Sequence, residues 1–172
     1  MRRSPWTLVI AIGVLAVGLA GCGTSNQIAK MDSTFNCPPG AKIEVGKVTN
    51  ETGKTFEEID LVQVYTNALT QKLLAQKLLC EEPSGERLVL DTKIVEYEPG
   101  NAFKRWLMPG YGSTVMAVNC DLKLPPDQKL VGSIEARRTV SAGGAYTIGA
   151  WETIVGQVAD DVIKKLKEEV IK

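Results

Sequence analysis

The apolar positions of the chain switch between two periods, and each switch marks an element. In "AKIEVGKVTNETG", Ile43 and Val45 alternate with charged neighbours, the pattern of a strand with one buried face, and "TNETG" supplies the turn that ends it. From Glu57 to Leu79 the spacing becomes three and four. Leu61, Val62, Tyr65, Ala68, Leu69, Leu73 and Leu74 then share one broad face of a helix of about five to six turns. The segment "EEPSGE" stops that helix through Pro83 and Gly85. "RLVLDTKIVEYEPG" returns to period two, with Leu88, Leu90, Thr92 and Ile94 set against Val89, Asp91, Lys93 and Val95. "STVMAVNCDLKL" does the same: Met116, Val118, Cys120, Leu122 and Leu124 lie on one face, and Ala117, Asn119, Asp121 and Lys123 on the other. "PPDQ" turns the chain into "KLVGSIEARRTV", so these two strands form a hairpin. "SAGGAYTIGA" is a flexible link. Beyond it Trp151, Ile154, Val155, Val158, Ala159, Val162, Ile163 and Leu166 mark one unbroken helical stripe, opposite Asp160, Lys164, Lys165, Lys167 and Glu168.

The order β-α-β-β-β-α predicts an α+β fold: one sheet of about four strands with two long helices on one face. The sheet is expected to be mixed. A long helix permits a parallel return, whereas the later strands are joined by hairpin-scale connections. The balanced charge of the last helix, and a sheet available to cover its stripe, favour core packing over a membrane-surface role.

The first residues have another pattern. "MRRSPWTLVIAIGVLAVGLAGCGTSNQ" runs from two arginines through an apolar stretch to small residues before Cys22, the layout of an export signal. Leu19, Ala20, Gly21 and Cys22 resemble the bacterial lipobox, whose cysteine is diacylated on sulfur and becomes the new N-terminus. The expected organisation is a lipoprotein signal peptide over 1–21, a lipid-anchored tether over 22–40, and a single α+β domain over 41–172. The tether follows from the Ser, Thr, Asn, Pro and Gly content of that stretch and its lack of period. Two or three acyl chains, at about 0.8 kcal/mol per buried CH₂, hold a protein on a bilayer where one chain would not. The partner expected first is therefore the membrane, through acylated Cys22. Gly23 is not the aspartate associated with inner-membrane retention, which in a two-membrane envelope directs the protein to the outer membrane, facing the periplasm.

Charge narrows the chemistry further. The chain has 20 basic and 20 acidic residues; without Arg2 and Arg3 the basic count is 18, a net of minus two. That balance gives no basic excess for nucleic acid. Histidine is absent, which removes imidazole as base, zinc ligand or pH switch. Three cysteines remain beside Cys22. Cys37 precedes the first strand and Cys80 ends the helix that runs back along it, so both fall at one end of the layer and a Cys37–Cys80 disulfide is expected. Cys120 falls on the apolar strand face and is expected to be buried and inert. With no base nearby, none of the three reads as a nucleophile.

Carboxylates offer little more. Glu57, Glu58 and Asp60 sit where a first helical turn would complement the helix dipole. Glu96 and Glu98 share a strand face and are expected to be solvated, near Lys104 or Arg105; Asp160 and Asp161 point about 100 degrees apart on a helix. "GYGS" opens a strand and "GGAYTIG" has no lysine followed by serine or threonine, so neither is a phosphate loop. No catalytic residue, metal site or cofactor is expected. What stands out is "GNAFKRWLMPGYGS", where Phe103, Trp106, Leu107, Met108 and Tyr111 crowd among glycines beside Lys104 and Arg105. Exposed together, these side chains would form a patch of interaction size. They could equally fold back over the end of the sheet, or meet lipid headgroups as a second contact after the acyl anchor.

The segment "IVEYEPGNAFKRWLMPGYGSTVMAVNCDL" resembles a bacterial lipoprotein family known as domain of unknown function 4410. In that family a strand ending in Gly-Asn leads to an arginine, a glycine-rich loop and a strand ending near an aspartate. The corresponding positions are Gly100, Asn101, Arg105, Gly110, Gly112 and Asp121, and in element order the resemblance spans about residues 41–170. The family pattern has "D...TG" after that strand, where this chain has "DLKLPPDQ". More distantly, "AKIEVGKVTNETGKTFEEIDLVQVYTNALTQKLL" is similar to the opening of envelope lipoproteins that activate penicillin-binding proteins or build curli secretion pores. The resemblance implies a docking or assembly module and supplies no catalytic residues.

The expected function is thus a non-catalytic, lipid-anchored module facing the periplasm. It would bind another envelope protein through Phe103, Arg105, Trp106, Leu107 and Tyr111. The alternatives are a small-molecule or lipid carrier with a pocket between sheet and helices, and an enzyme in which Glu96, Glu98 and Asp121 converge on a cleft.

Overall fold

The structure, a computed structural model, describes residues 23–82, 86–108, 111–141 and 149–171. Five strands, β1 (Gly23–Met31), β2 (Lys42–Asn50), β3 (Arg87–Glu98), β4 (Thr114–Leu124) and β5 (Lys129–Val140), make one mixed sheet in the order β1-β5-β4-β3-β2. The pair β2 and β3, joined through helix α1 (Leu61–Ala75), is parallel, and the other pairs are antiparallel. A short helix α2 (Ala102–Leu107) lies between β3 and β4. Helix α3 (Ala150–Lys165) follows β5 and continues as a wider turn over Leu166–Val170. The helix α1 packs beside β2, α3 packs over β4 and β5, and the two helices touch. The α+β class, the mixed sheet and the two long helices agree with the periodicity.

The core is the layer between sheet and helices. Ile43, Leu88, Leu90, Ile94, Met116, Leu122 and Ile134 of the sheet meet Tyr65, Leu69 and Leu73 of α1 and Ile154, Val158 and Val162 of α3, all at 0% exposure. Close packing at this density, not helix propensity, holds the helices in place. On the other face of the sheet Val89, Val115 and Ala117 are also buried, at 7–8% exposure, although no helix covers them. Long side chains form ion pairs between strands instead, Arg137–Glu96 spanning β4 and the other two joining β3 to β4. Arg137 donates to Glu96 at 2.8 and 3.1 Å, Lys93 to Asp121 at 3.4 Å and Lys123 to Asp91 at 2.6 Å.

Three boundaries differ from the expectation. Residues 23–31, placed within a tether, form the edge strand β1, with Gly23 opposite Val140 and Met31 opposite Gly132. Its inward face carries polar Ser25 and Gln27 before Ala29 and Met31, so it lacks the apolar alternation that marks a strand. The first long helix begins at Leu61, not Glu57: Asp60 is its N-cap, its carboxylate accepting from the Gln63 N–H at 2.9 Å, while Glu57 and Glu58 lie in the preceding turn. It ends at Ala75, and Lys77, with φ 58°, starts a turn that returns the chain to β2, where the Ile43 N–H donates to Leu78 O at 2.8 Å and the Cys80 N–H to Ile43 O at 2.8 Å.

Candidate functional site

The loop between β3 and β4 is a built element. Its neck is closed by the Asn101 N–H donating to Gly112 O at 2.8 Å and by the Thr114 hydroxyl donating to Pro99 O at 2.9 Å. Asn101 also caps α2, its side-chain oxygen accepting from the Lys104 N–H at 2.9 Å. Met108 N–H donates to Lys104 O and Tyr111 N–H to Met108 O, each at 2.9 Å. Gly112 has φ +72°, and a Cβ there would come to 2.8 Å from Lys104 Cβ and 3.0 Å from Asn101 O, so glycine is needed for both conformation and space.

This frame holds the apolar side chains outward. Phe103 is 66% exposed, Leu107 63%, Met108 57% and Tyr111 66%, so they do not fold back over the sheet. Other exposed large apolar residues are scattered: Ile28 on β1, Val64 and Leu74 ten residues apart on α1, Leu130 on β5 and Trp151 on α3. The side chains of Arg105 and Trp106 lie outside the described residues, as does Cys22. The helical turn escaped the periodicity because six residues are too few to show a 3.6-residue repeat. Asn101 at a cap position was the readable signal.

The acidic residues do not converge. Glu96 pairs with Arg137, Glu98 with Lys54 and Asp121 with Lys93; these pairs take the place of the Lys104 expected beside Glu96 and Glu98, and the Arg105 side chain lies outside the described residues. Glu96 is opposite Ala117, four residues along β4 from Asp121, a strand separation of about 13 Å. Asp91 fills the irregularity of β2 between Val45 and Val48, accepting from the Lys47 N–H at 2.7 Å as well as from Lys123. Burial pushes its carboxyl up, but the Lys123 hydrogen bond, the Lys47 N–H and the two lysine charges together hold it below the ordinary carboxylate value.

Asp160 and Asp161 act separately. Asp160 accepts from Lys72 of α1 at 2.7 Å. Asp161 points into the sheet, accepting from Arg138 at 2.8 and 2.7 Å and from the Ser25 hydroxyl at 2.9 Å. This network ties β1, β5 and α3 together at one corner, and no periodicity argument could find it.

The expected Cys37–Cys80 bridge is not formed; Cys37, Cys80 and Cys120 are all free thiols. Cys37 and Cys80 do flank the start of β2, but each turns to its own loop, Cys80 Sγ donating to Glu82 O at 2.9 Å and Cys37 Sγ lying 3.7 Å from Pro38 O. Burial, and then Glu86, push the Cys37 thiol above its ordinary value, leaving little thiolate to begin exchange. Cys120 is buried as expected. Its environment is the middle of the core, with the Thr92 hydroxyl 3.5 Å from Sγ and the phenol of Tyr65 beside it. Tyr65 Oη is a buried polar atom with no well-formed hydrogen bond. Among the described residues no group of three or more Cys, Asp or Glu could hold a metal ion, and no helix is long and apolar enough to cross a membrane.

Several known structures are similar to this one. The PelC dodecamer from Paraburkholderia phytofirmans aligns with a TM-score of 0.51 at 15% identity, over 81% of this chain and 96% of that one. Protein XCC0632 from Xanthomonas campestris aligns at 0.48 and 9% identity over 79% and 88% of the two chains. Lipoprotein GNA1162 from Neisseria meningitidis aligns at 0.39 and 14% identity over 72% and 99%. No curated protein matches the chain. The family described as "Domain of unknown function (DUF4410)" matches residues 24–144, starting inside β1 and running past the end of β5. With well over half of its length matched, the chain belongs to the DUF4410 family.

Proposed function

We propose that this chain is a lipid-anchored component of the bacterial cell envelope, facing the periplasm of the outer membrane, and that it works by docking and assembly, not catalysis. The observation that carries this reading is the position of β1. With Gly23 already paired to Val140, acylated Cys22 would lead straight into a rigid sheet, fixing the domain at the surface it is tethered to. Among the described residues no strand pairs with the outer edge of β1, whereas Leu79 bridges to Ile43 at the start of β2 on the opposite edge. A free strand edge is a surface on which another chain can add. The fold neighbour from Paraburkholderia phytofirmans, PelC, is a dodecamer, and self-assembly is one form that such docking takes. The packed layer of Tyr65, Leu69, Met116, Ile134 and Ile154 occupies the space that a carrier pocket would need.

Two measurements test this. Labelled palmitate should be incorporated by the wild-type chain and lost in Cys22→Ser. A photo-crosslinking residue at Ile28, 43% exposed on β1, should give an adduct in native envelopes with a second copy or another envelope protein. A protein that incorporates palmitate but gives no adduct, and is monomeric in detergent, would sink the docking part while leaving the anchor intact.

A further inference from the structure

Strand register places the apolar loop at the end of the sheet where the anchor enters. Gly23 is opposite Val140, Val140 is opposite Thr114, and Val115 is opposite Glu98. The start of β1, the end of β5, the start of β4 and the end of β3 therefore form one rim. With strands about 4.8 Å apart, Gly23 lies about 10 Å from the loop's return at Thr114 and about 14 Å from its departure after Glu98. Cys22 is one residue further, about 3.8 Å from Gly23 in Cα position. Between these points stand Phe103, Leu107, Met108 and Tyr111, each more than half exposed, with exposed Lys104 beside them.

We infer that the Asn101–Gly112 loop is a second membrane contact, seating Phe103, Leu107, Met108 and Tyr111 in the interfacial layer of the phospholipid bilayer that holds the Cys22 acyl chains. The inference rests on the acylation of Cys22 proposed above, and it replaces the protein partner expected for this loop with the bilayer. Three features favour lipid. The loop has no slack to avoid the surface, because no tether separates the anchor from the sheet. Its side chains are those that occupy the boundary between headgroups and acyl chains: Phe and Leu apolar throughout, Tyr with a wet hydroxyl. Lys104 supplies a cation at the depth of the phosphates, its stem able to lie along apolar surface. The hydrogen bonds of the neck and of the Asn101 cap already fix the ends of the loop, which lowers the ordering cost of insertion.

The test uses the acylated full-length product, purified from membranes and reconstituted in phosphatidylethanolamine and phosphatidylglycerol vesicles. The vesicles carry a phospholipid with a diazirine in its acyl chain, and adducts are mapped by mass spectrometry after irradiation. Adducts are expected on the peptides covering residues 101–112 and none on the turn between β4 and β5. The triple variant F103S/L107S/Y111S should lower loop labelling at least about fivefold, the scale of losing three apolar contacts at an interface, while still floating with the vesicles. Three results would overturn the inference: loop labelling no greater than that of the β4–β5 turn in a protein whose N-terminal acyl cysteine is intact; unchanged labelling in the triple variant; or, in native envelopes, cross-links from the loop to protein in place of lipid. An unacylated N-terminus and failure to float would identify the anchor reading as the one at fault, and the loop inference would fall with it.

Discussion

Replacing Asp161 by asparagine removes a charge that is almost fully enclosed, its side chain being 6% exposed, and that accepts three hydrogen bonds, two from Arg138 and one from Ser25. Breaking a buried ion pair from one side costs about 3–5 kcal/mol, because the remaining charge stays desolvated. Arg138 is 27% exposed and partly rehydrates, which brings the expected loss to about 2–3 kcal/mol, including about 1 kcal/mol for the Ser25 hydrogen bond. In a urea titration with a slope of about 2 kcal/mol/M, the midpoint should fall by about 1–1.5 M with the slope unchanged. Hydrogen exchange adds a local readout. The wild-type corner fastens β1 to α3 as well as to β5, so the amides of Gly23–Met31 should lose more protection than those of β3. Arg138→Ala should cost a similar amount, and the double variant little more than either single one, because the two residues share one interaction. A midpoint shift worth less than about 0.5 kcal/mol, together with unchanged protection of β1, would refute the claim that this corner holds the edge strand.

Two further outcomes follow from titratable groups. Burial, outweighing the Thr92 and Tyr65 hydrogen bonds, pushes the Cys120 thiol up to about 12, so a thiol reagent at pH 8 should modify Cys80 in the native protein, Cys37 more slowly, and Cys120 only after denaturation; native labelling of Cys120 would contradict its place in the core. The Asp91 carboxyl, held below its ordinary value in the folded state, contributes stability that is complete above the unfolded pKa of about 4 and lost as pH falls through the folded value; for so partly exposed a group this amounts to about 1 kcal/mol or less. Urea midpoints measured from pH 6 down to pH 3 should therefore fall less steeply in Asp91→Asn than in the wild type, and parallel curves would remove Asp91 from the account.

The fold was legible where burial is one-sided and repeated. The stripe from Ile154 to Leu166 and the alternation from Met116 to Leu124 each carry enough residues to fix a period, and both elements lie where that period puts them. β1 was not legible because its inward face is polar for a specific reason: Ser25 faces Asp161, whose charge is set against Arg138. Each of the three is ordinary in its own segment, and only the register brings them together. The site was half legible. The crowding of Phe103, Leu107 and Tyr111 is visible in the residues, but whether they turn in or out depends on the neck from Asn101 to Gly112, whose hydrogen bonds join positions eleven residues apart. The disulfide failed differently. The right end of the layer was chosen for both cysteines, but side-chain direction within a loop leaves no mark on periodicity.

The missed strand also determines what the exposed loop has to accomplish. Behind a flexible tether, an apolar loop would have to find the bilayer by its own affinity, and four half-exposed side chains would give it a weak hold. If Cys22 is acylated as proposed, with Gly23 already in the sheet, the ends of the loop would lie within about 15 Å of Gly23, and its contact would become intramolecular, at an effective concentration in the millimolar range or above. Weak side-chain insertion would then suffice, because the acyl chains would supply retention and the loop orientation. Two contacts at the same rim would set the strands steeply to the surface, and the eleven residues of β4 would carry the opposite rim about 35 Å outward. The edge of β1 would then run upward from the membrane, open along its length to a neighbouring chain held at the same height by the same two contacts. Under that geometry, loss of the loop's apolar side chains should leave the amount of membrane-bound protein unchanged and should lower the yield of cross-links from Ile28, because neighbouring edges would no longer be held parallel.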